Sequence, residues 1–111
     1  MKLLHTIQEI VYLEHTDAAG IIYFASLQSF AHRAFEHFVS SKGFKFHRFI
    51  QRFAFPIVHV QAEYYLPCFV GDVLTISLYL QSRSLHSLRF HYRILKHHHL
   101  VASISMKHVL K

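Results

Sequence analysis

The chain is 111 residues long, 52% hydrophobic and basic, with a formal charge of +6 that counts its 12 histidines as neutral. That length suits one domain, residues 1–111, rather than two, and no apolar run approaches the ~18 residues that a membrane helix needs. The single cysteine, Cys68, excludes an internal disulfide and suits a reducing compartment.

The positive charge fits either a site for a small polyanion or plain solubility. Lysines and arginines are scattered without a basic run, which argues against a nucleic-acid-binding arm. His5, Thr6, Gln8 and Glu9 break any signal-peptide core after the opening Met-Lys-Leu-Leu. The expectation is a cytoplasmic protein with no membrane anchor. So high an apolar fraction in a small domain also points to surface committed to a subunit interface.

In chain order, residues 6–14 mix β-branched and aromatic side chains and predict a strand. A turn follows at Asp17-Ala18-Ala19-Gly20. From 25 to 41 the apolar positions Leu27, Phe30, Ala31, Ala34, Phe35 and Phe38 fall at steps of three and four. They predict a helix buried along one face, with Gln28, His32, Arg33, Glu36 and His37 on the other. Gly43 lies just beyond, where a helix takes its left-handed stop. Residues 44–55, aromatic and basic, fit a short second helix or an irregular crossing. Strands are predicted at 57–65, 73–81, 85–95 and 100–110, with turns at 67–72, 82–84 and 96–99. Turns that short make neighbouring strands antiparallel. The fold class is therefore α+β, one long central helix wrapped by an antiparallel five-stranded sheet.

Asp17 is the side chain with the most chemistry to offer. An aspartate before a helix commonly closes an Asx-turn or caps the helix. Facing a cleft, it instead attacks a carbonyl carbon or activates water. Gly20 is then either a left-handed turn residue or a gap for a ligand. The amides of Ile22, Tyr23 and Phe24 are expected as first-turn donors without intrahelical partners, suited to polarise a thioester carbonyl. Other chemistries fare worse. His97, His98 and His99 are consecutive and cannot all point one way, His32 and His37 are five apart and so diverge around the helix, and no zinc motif occurs, so no metal is expected. Cys68 has no activating partner and reads as a small buried residue. There is no nucleophile elbow and no glycine-rich phosphate loop. Glu36 reads as a solvated helix residue able to pair with Arg33 or His32, and Glu63 as either an outward-facing strand-edge group or a polar contact in an interface.

Thr16-Asp17-Ala18-Ala19-Gly20-Ile21-Ile22-Tyr23-Phe24-Ala25 resembles the signature of the hotdog-fold acyl-CoA thioesterases, in the 4-hydroxybenzoyl-CoA thioesterase family. Phe55-Pro56-Ile57-Val58-His59, leading into Glu63-Tyr64-Tyr65-Leu66-Pro67, and Gly71-Asp72-Val73-Leu74-Thr75-Ile76 are similar to that family in the same order. With His32, Ala34 and Glu36 they look most like the 1,4-dihydroxy-2-naphthoyl-CoA thioesterases of quinone biosynthesis. Phe24 stands where the Tol-Pal-associated branch usually has histidine.

The resemblance implies a hotdog fold, a homodimer sharing one continuous sheet or a homotetramer, and an active site at the dimer interface. It implies an acyl-CoA substrate, no cofactor, and Asp17 as nucleophile or general base. Gly20, Ile22, Tyr23 and Phe24 would contact the substrate, with the amide near Tyr23 and Phe24 on the thioester carbonyl. His59, Tyr64 and Phe24 would shape the acyl pocket, and Arg83 and His86 would hold the CoA phosphates. Members usually run on beyond the last strand, so the end at Lys111 carries the expectation of an altered CoA cleft or oligomer contact. The other reading is a hotdog module that binds acyl-CoA without hydrolysis.

Overall fold

The stripe at Leu27, Phe30, Ala31, Ala34 and Phe35 forms the buried face of an 18-residue helix, α1 (Phe24–Ser41), with Val39 extending it. The computed structural model describes residues 1–53 and 55–110. Gly43, at φ +87°, ends α1 as expected, its amide donating to the Ser40 carbonyl at 3.0 Å. The aromatic stretch that follows resolves into a short helix, α2 (Phe46–Arg52). Phe46 and Phe49 hold it edge-on against Phe35, at ring-centroid distances of 6.1 and 6.2 Å.

Strands β1 (Lys2–Ile10), β2 (Ile57–Tyr64), β3 (Val73–Arg83), β4 (Ser87–Lys96) and β5 (His99–Val109) form one antiparallel sheet in the order β1-β3-β4-β5-β2. This is the hotdog arrangement: the sheet curls around α1. Its inner face presents Leu74, Ile76 and Leu78 from β3, Phe90, Tyr92 and Ile94 from β4, and Ala102, Ile104 and Met106 from β5, all buried. Each large side chain sealed there contributes about 1.5–3 kcal/mol. Arg33 reaches from α1 to Glu9 on β1 at 2.7 Å, tying helix to sheet at its margin. No helix is long and apolar enough to cross a membrane among the described residues.

Three boundaries correct the sequence reading. The first strand runs from Lys2 to Ile10 rather than over 6–14, and Leu13–His15 is a 3-10 turn. A bulge between Leu3 and His5 breaks the side-chain alternation that would have marked the strand, and pairing with β3 fixes the register instead. β3 continues to Arg83 and β4 starts at Ser87, because pairing carries through to Arg83 with Leu88. The β4–β5 turn is tighter than 96–99: Lys96 pairs with His99, leaving only His97 and His98, both at positive φ (48° and 67°), the geometry that suits the twist of a two-residue hairpin.

Candidate active site

Thr16 and Ile22 form an isolated antiparallel bridge, and the chain between them folds into a closed turn. The Asp17 amide donates to the Ile21 carbonyl and the Gly20 amide to the Asp17 carbonyl, each at 3.0 Å. Asp17 Oδ1 accepts from the amides of Ala19 at 2.9 Å and Ile21 at 3.1 Å. One carboxylate oxygen thus builds the turn, as an Asx-turn aspartate does. The other, Oδ2, has no protein partner among the described residues. Asp17 is half-buried and lies well before α1, whose N-cap is Tyr23. It is therefore not a helix cap. Gly20 sits at φ +79°, and a Cβ there would meet Val70 at an ordinary 3.7 Å. Its small size serves the left-handed backbone, not the close approach of another group.

The expected row of free amides is shorter than the sequence suggested. Ile22 donates to the Cys68 carbonyl at 2.8 Å and Tyr23 to the His15 carbonyl at 2.9 Å. One is taken by the loop before β3 and the other by the 3-10 turn at Leu13–His15. Among the described residues, the amides without an acceptor at the mouth of α1 are those of Phe24 and Ala25, the donors that the helix geometry leaves over. His15 holds this corner. Its Nδ1 accepts the Tyr12 amide at 2.9 Å, its ring packs edge-on against Phe30 at 4.9 Å, and its carbonyl also takes the Ser26 hydroxyl at 3.1 Å.

The other wall of the turn is the loop before β3. Val70 donates to the Gly20 carbonyl at 3.0 Å, and Ile21 bridges to Phe69. Asp72 fixes that loop, accepting the Phe69 amide at 2.8 Å and the Lys96 ammonium at 3.1 Å. Burial raises the Asp72 pKa, but the Phe69 amide and Lys96 outweigh it, and the net shift is downward. Cys68 is buried here and its thiol is pushed up to about 11 by desolvation, so it is no nucleophile.

Beside the turn opens a cleft of about 280 Å³ lined by Ile21, Ile22, Phe24, Leu27, Tyr64 and Leu66, among others. Phe24 is 63% exposed and stacks on Tyr64 at 4.3 Å with 18° between ring planes. Gln28 Nε2 donates to the Tyr64 hydroxyl at 3.2 Å. The helix periodicity put Gln28 on the outer face; only the packing of the end of β2 against α1 reveals its partner.

Of the expected residues, Ile22 and Phe24 line this cleft, while Asp17 and Gly20 belong to the adjoining turn and Tyr23 caps α1. Within one chain, Arg83 and His86 do not join them. They are exposed at the far end of β3, whose 11 residues span roughly 33 Å from the loop that holds the turn. His59 is exposed five residues up β2 from Tyr64 and pairs across with Lys107, which faces Arg89 in turn. Glu36 is exposed, and Glu63 accepts the Tyr65 hydroxyl at 2.7 Å on the β2 edge. Among the described residues no three His, Cys, Asp or Glu side chains converge as a metal site.

The profile of the thioesterase-like superfamily matches residues 11–111. The chain is 32% identical over 104 residues to the 1,4-dihydroxy-2-naphthoyl-CoA hydrolase of Microcystis aeruginosa, covering 92% of this chain and 75% of that one. To the hydrolase of the same name from Synechococcus elongatus it is 32% identical over 105 residues, covering 92% and 77%. Among solved structures, the 1,4-dihydroxy-2-naphthoyl-CoA thioesterase of Synechocystis superposes with a TM-score of 0.88 at 31% identity, over 96% of this chain and 80% of that one. With the Asp17 motif, the sheet order and these likenesses in agreement, the chain belongs to the thioesterase-like superfamily.

Proposed function

We propose that this protein is an acyl-CoA thioesterase that hydrolyses an aromatic acyl-CoA, possessing the 1,4-dihydroxy-2-naphthoyl-CoA specificity named for its relatives, to the free acid and CoA. Quinone biosynthesis is the setting that substrate implies. The observation that carries the reading is the free Oδ2 of Asp17 on a rigid turn leading to the unpartnered amide of Phe24. The thioester carbonyl oxygen accepts from that amide, which stabilises the negative charge that develops on it. Asp17 then either attacks the carbonyl carbon, so that the C–S bond breaks to release CoA and water hydrolyses the mixed anhydride left on Asp17, or takes a proton from the water that attacks, passing it to the CoA sulfur as the C–S bond breaks. Phe24, Ile22 and the Tyr64 ring line the acyl side.

The assembly in this proposal is a homodimer, or a homotetramer built from it, of single-domain 1–111 subunits in the cytoplasm. β2 ends the sheet, and Val58 and Val60 on it are exposed. A second copy pairing there covers that edge, and brings His59 into the joint. Arg83 and His86 reach CoA phosphates only where the ligand crosses between copies.

The test is Asp17→Asn. Asn keeps an oxygen for the Ala19 and Ile21 amides, so the fold and CoA binding persist, while turnover falls by about 10²–10⁴-fold. Undiminished thiol release by the variant would overturn the assignment. A non-hydrolytic acyl-CoA-binding module is the second reading, favoured by the structural duty of Asp17 Oδ1 in its own turn. Tight acyl-CoA binding without thiol release by the wild type selects it.

A further inference from the structure

The Asp17 carboxylate and the Phe24 amide belong to different elements, a tight turn and the start of α1, and one residue ties the two together. His15 ends the 3-10 turn Leu13–His15, two residues before Asp17. Its carbonyl accepts the Tyr23 amide at 2.9 Å and the Ser26 hydroxyl at 3.1 Å, so it grips α1 on either side of Phe24. Any shift of this carbonyl moves the carboxylate and the amide relative to each other.

Upstream, the chain is anchored at the fully buried Val11, whose amide donates to the Asp72 carbonyl at 2.9 Å and whose carbonyl accepts the Gly71 amide at 2.8 Å. Between that anchor and the His15 carbonyl, the His15 ring fixes the path. Its Nδ1 accepts the Tyr12 amide at 2.9 Å, the reach back to the N-cap amide that a Glu or Gln makes in a capping box. The edge contact with the wholly buried Phe30, at 4.9 Å, sets the ring plane. Accepting an amide requires a bare Nδ1, so the imidazole proton sits on Nε2, 3.8 Å from the exposed Glu14 carboxylate. We infer that His15 is a positioning residue, whose imidazole sets the separation between the Asp17 carboxylate and the Phe24 amide. This rests on the thioesterase reading above and adds the side chain that aligns its two reacting groups.

A misplacement of about 1 Å costs a reaction ~10²-fold, so loss of the imidazole bond lowers kcat by about ten- to hundredfold and leaves KM within about twofold. The experiment compares wild type, His15→Leu and His15→Gln. Leu removes the acceptor, whereas Gln returns one that reaches the Tyr12 amide without a ring. In both variants the Thr16 amide and hydroxyl still close the turn on the Leu13 carbonyl, at 3.0 and 2.9 Å, and circular dichroism checks the fold. Three readouts run in parallel: kcat and KM for the best substrate in a panel of aryl-CoAs, hydrogen exchange at the Tyr12 and Tyr23 amides, and the nitrogen NMR spectrum of the wild-type His15 ring. The expected result is a Leu variant with reduced kcat, unchanged KM and faster exchange at both amides, a Gln variant close to wild type, and no proton on Nδ1. Full kcat in the Leu variant, a Gln variant no better than Leu, or a protonated Nδ1 overturns the inference. If the wild type hydrolyses no acyl-CoA, the thioesterase reading fails by itself. Exchange at Tyr23 then decides the positioning role: faster in Leu and restored in Gln supports it, and equal rates in all three proteins overturn it.

Discussion

At its C-terminal half α1 is sealed by rings. Phe35 lies 5.3–6.2 Å from Phe46, Phe49, Phe55 and Phe90, and stacks on the buried His108 at 5.4 Å. At its N-terminal end Phe24 meets Tyr64 and is otherwise largely in solvent, beside amides with no acceptor and a carboxylate oxygen with no donor among the described residues. The two ends are roughly 27 Å apart along 18 residues. One end turns apolar area into stability. The other leaves hydrogen-bonding capacity for a ligand. A rigid helix between them lets a protein this small do both, and lets substitutions separate the two.

The largest expected contrast sets Asp17→Asn against Phe35→Ala. The first costs turnover and leaves the urea midpoint nearly where it was. The second opens a void among five rings and lowers stability by about 3–5 kcal/mol, with KM for an acyl-CoA little changed in the fraction that stays folded. Equal losses of stability in both variants would show that the ends are not independent.

Between these extremes stands Gly20→Ala. The site has room for a methyl group, so the cost is that of holding alanine at φ +79°, about 1–2 kcal/mol. The same strain tilts the Asp17 turn, so kcat falls as well. A stability loss with kcat intact would mean that the turn yields without moving the carboxylate.

The buried face of α1, which runs from the open end to the sealed one, was largely legible in the sequence. Leu27, Phe30, Ala31, Ala34 and Phe35 repeat with the helical period, and all are buried. The open end was legible only in its motif. That Ile22 and Tyr23 spend their amides on Cys68 and His15 depends on chain segments meeting in space, which no local pattern encodes. Gln28 shows the same limit: periodicity assigns it to solvent, and the contact with Tyr64, 36 positions away, is tertiary. β1 was displaced for a more local reason, the bulge at Leu3–His5 that spoils its alternation.

The smallest effects, and the finest test of the contrast, come from acid. At the sealed end the His108 ring donates Nδ1–H to the Phe55 carbonyl at 3.1 Å and leaves Nε2 buried without a partner among the described residues. Burial lowers its pKa, with His32 adding and the Phe55 carbonyl opposing. His91 is lowered too, by burial and then by Arg93. The unfolded chain takes up these protons near pH 6.5 while the native state still refuses them. Stability present above that value therefore falls as pH drops through it, and levels off below the folded pKa values. Asp72, at the open end, has the opposite chemistry but the same sign of slope. Its folded pKa is depressed, so its contribution is full above about pH 3.9 and is lost as pH falls toward the folded value. Urea midpoints measured from pH 8 to 3 should thus decline in two separate windows. His108→Phe should shallow the upper one, with His91 supplying what remains, and Asp72→Asn should flatten the lower one alone. Should His108→Phe follow the wild-type curve from pH 7 to 5, the upper window belongs to His91 on the outer face of the sheet, and the sealed end is insensitive to mild acid.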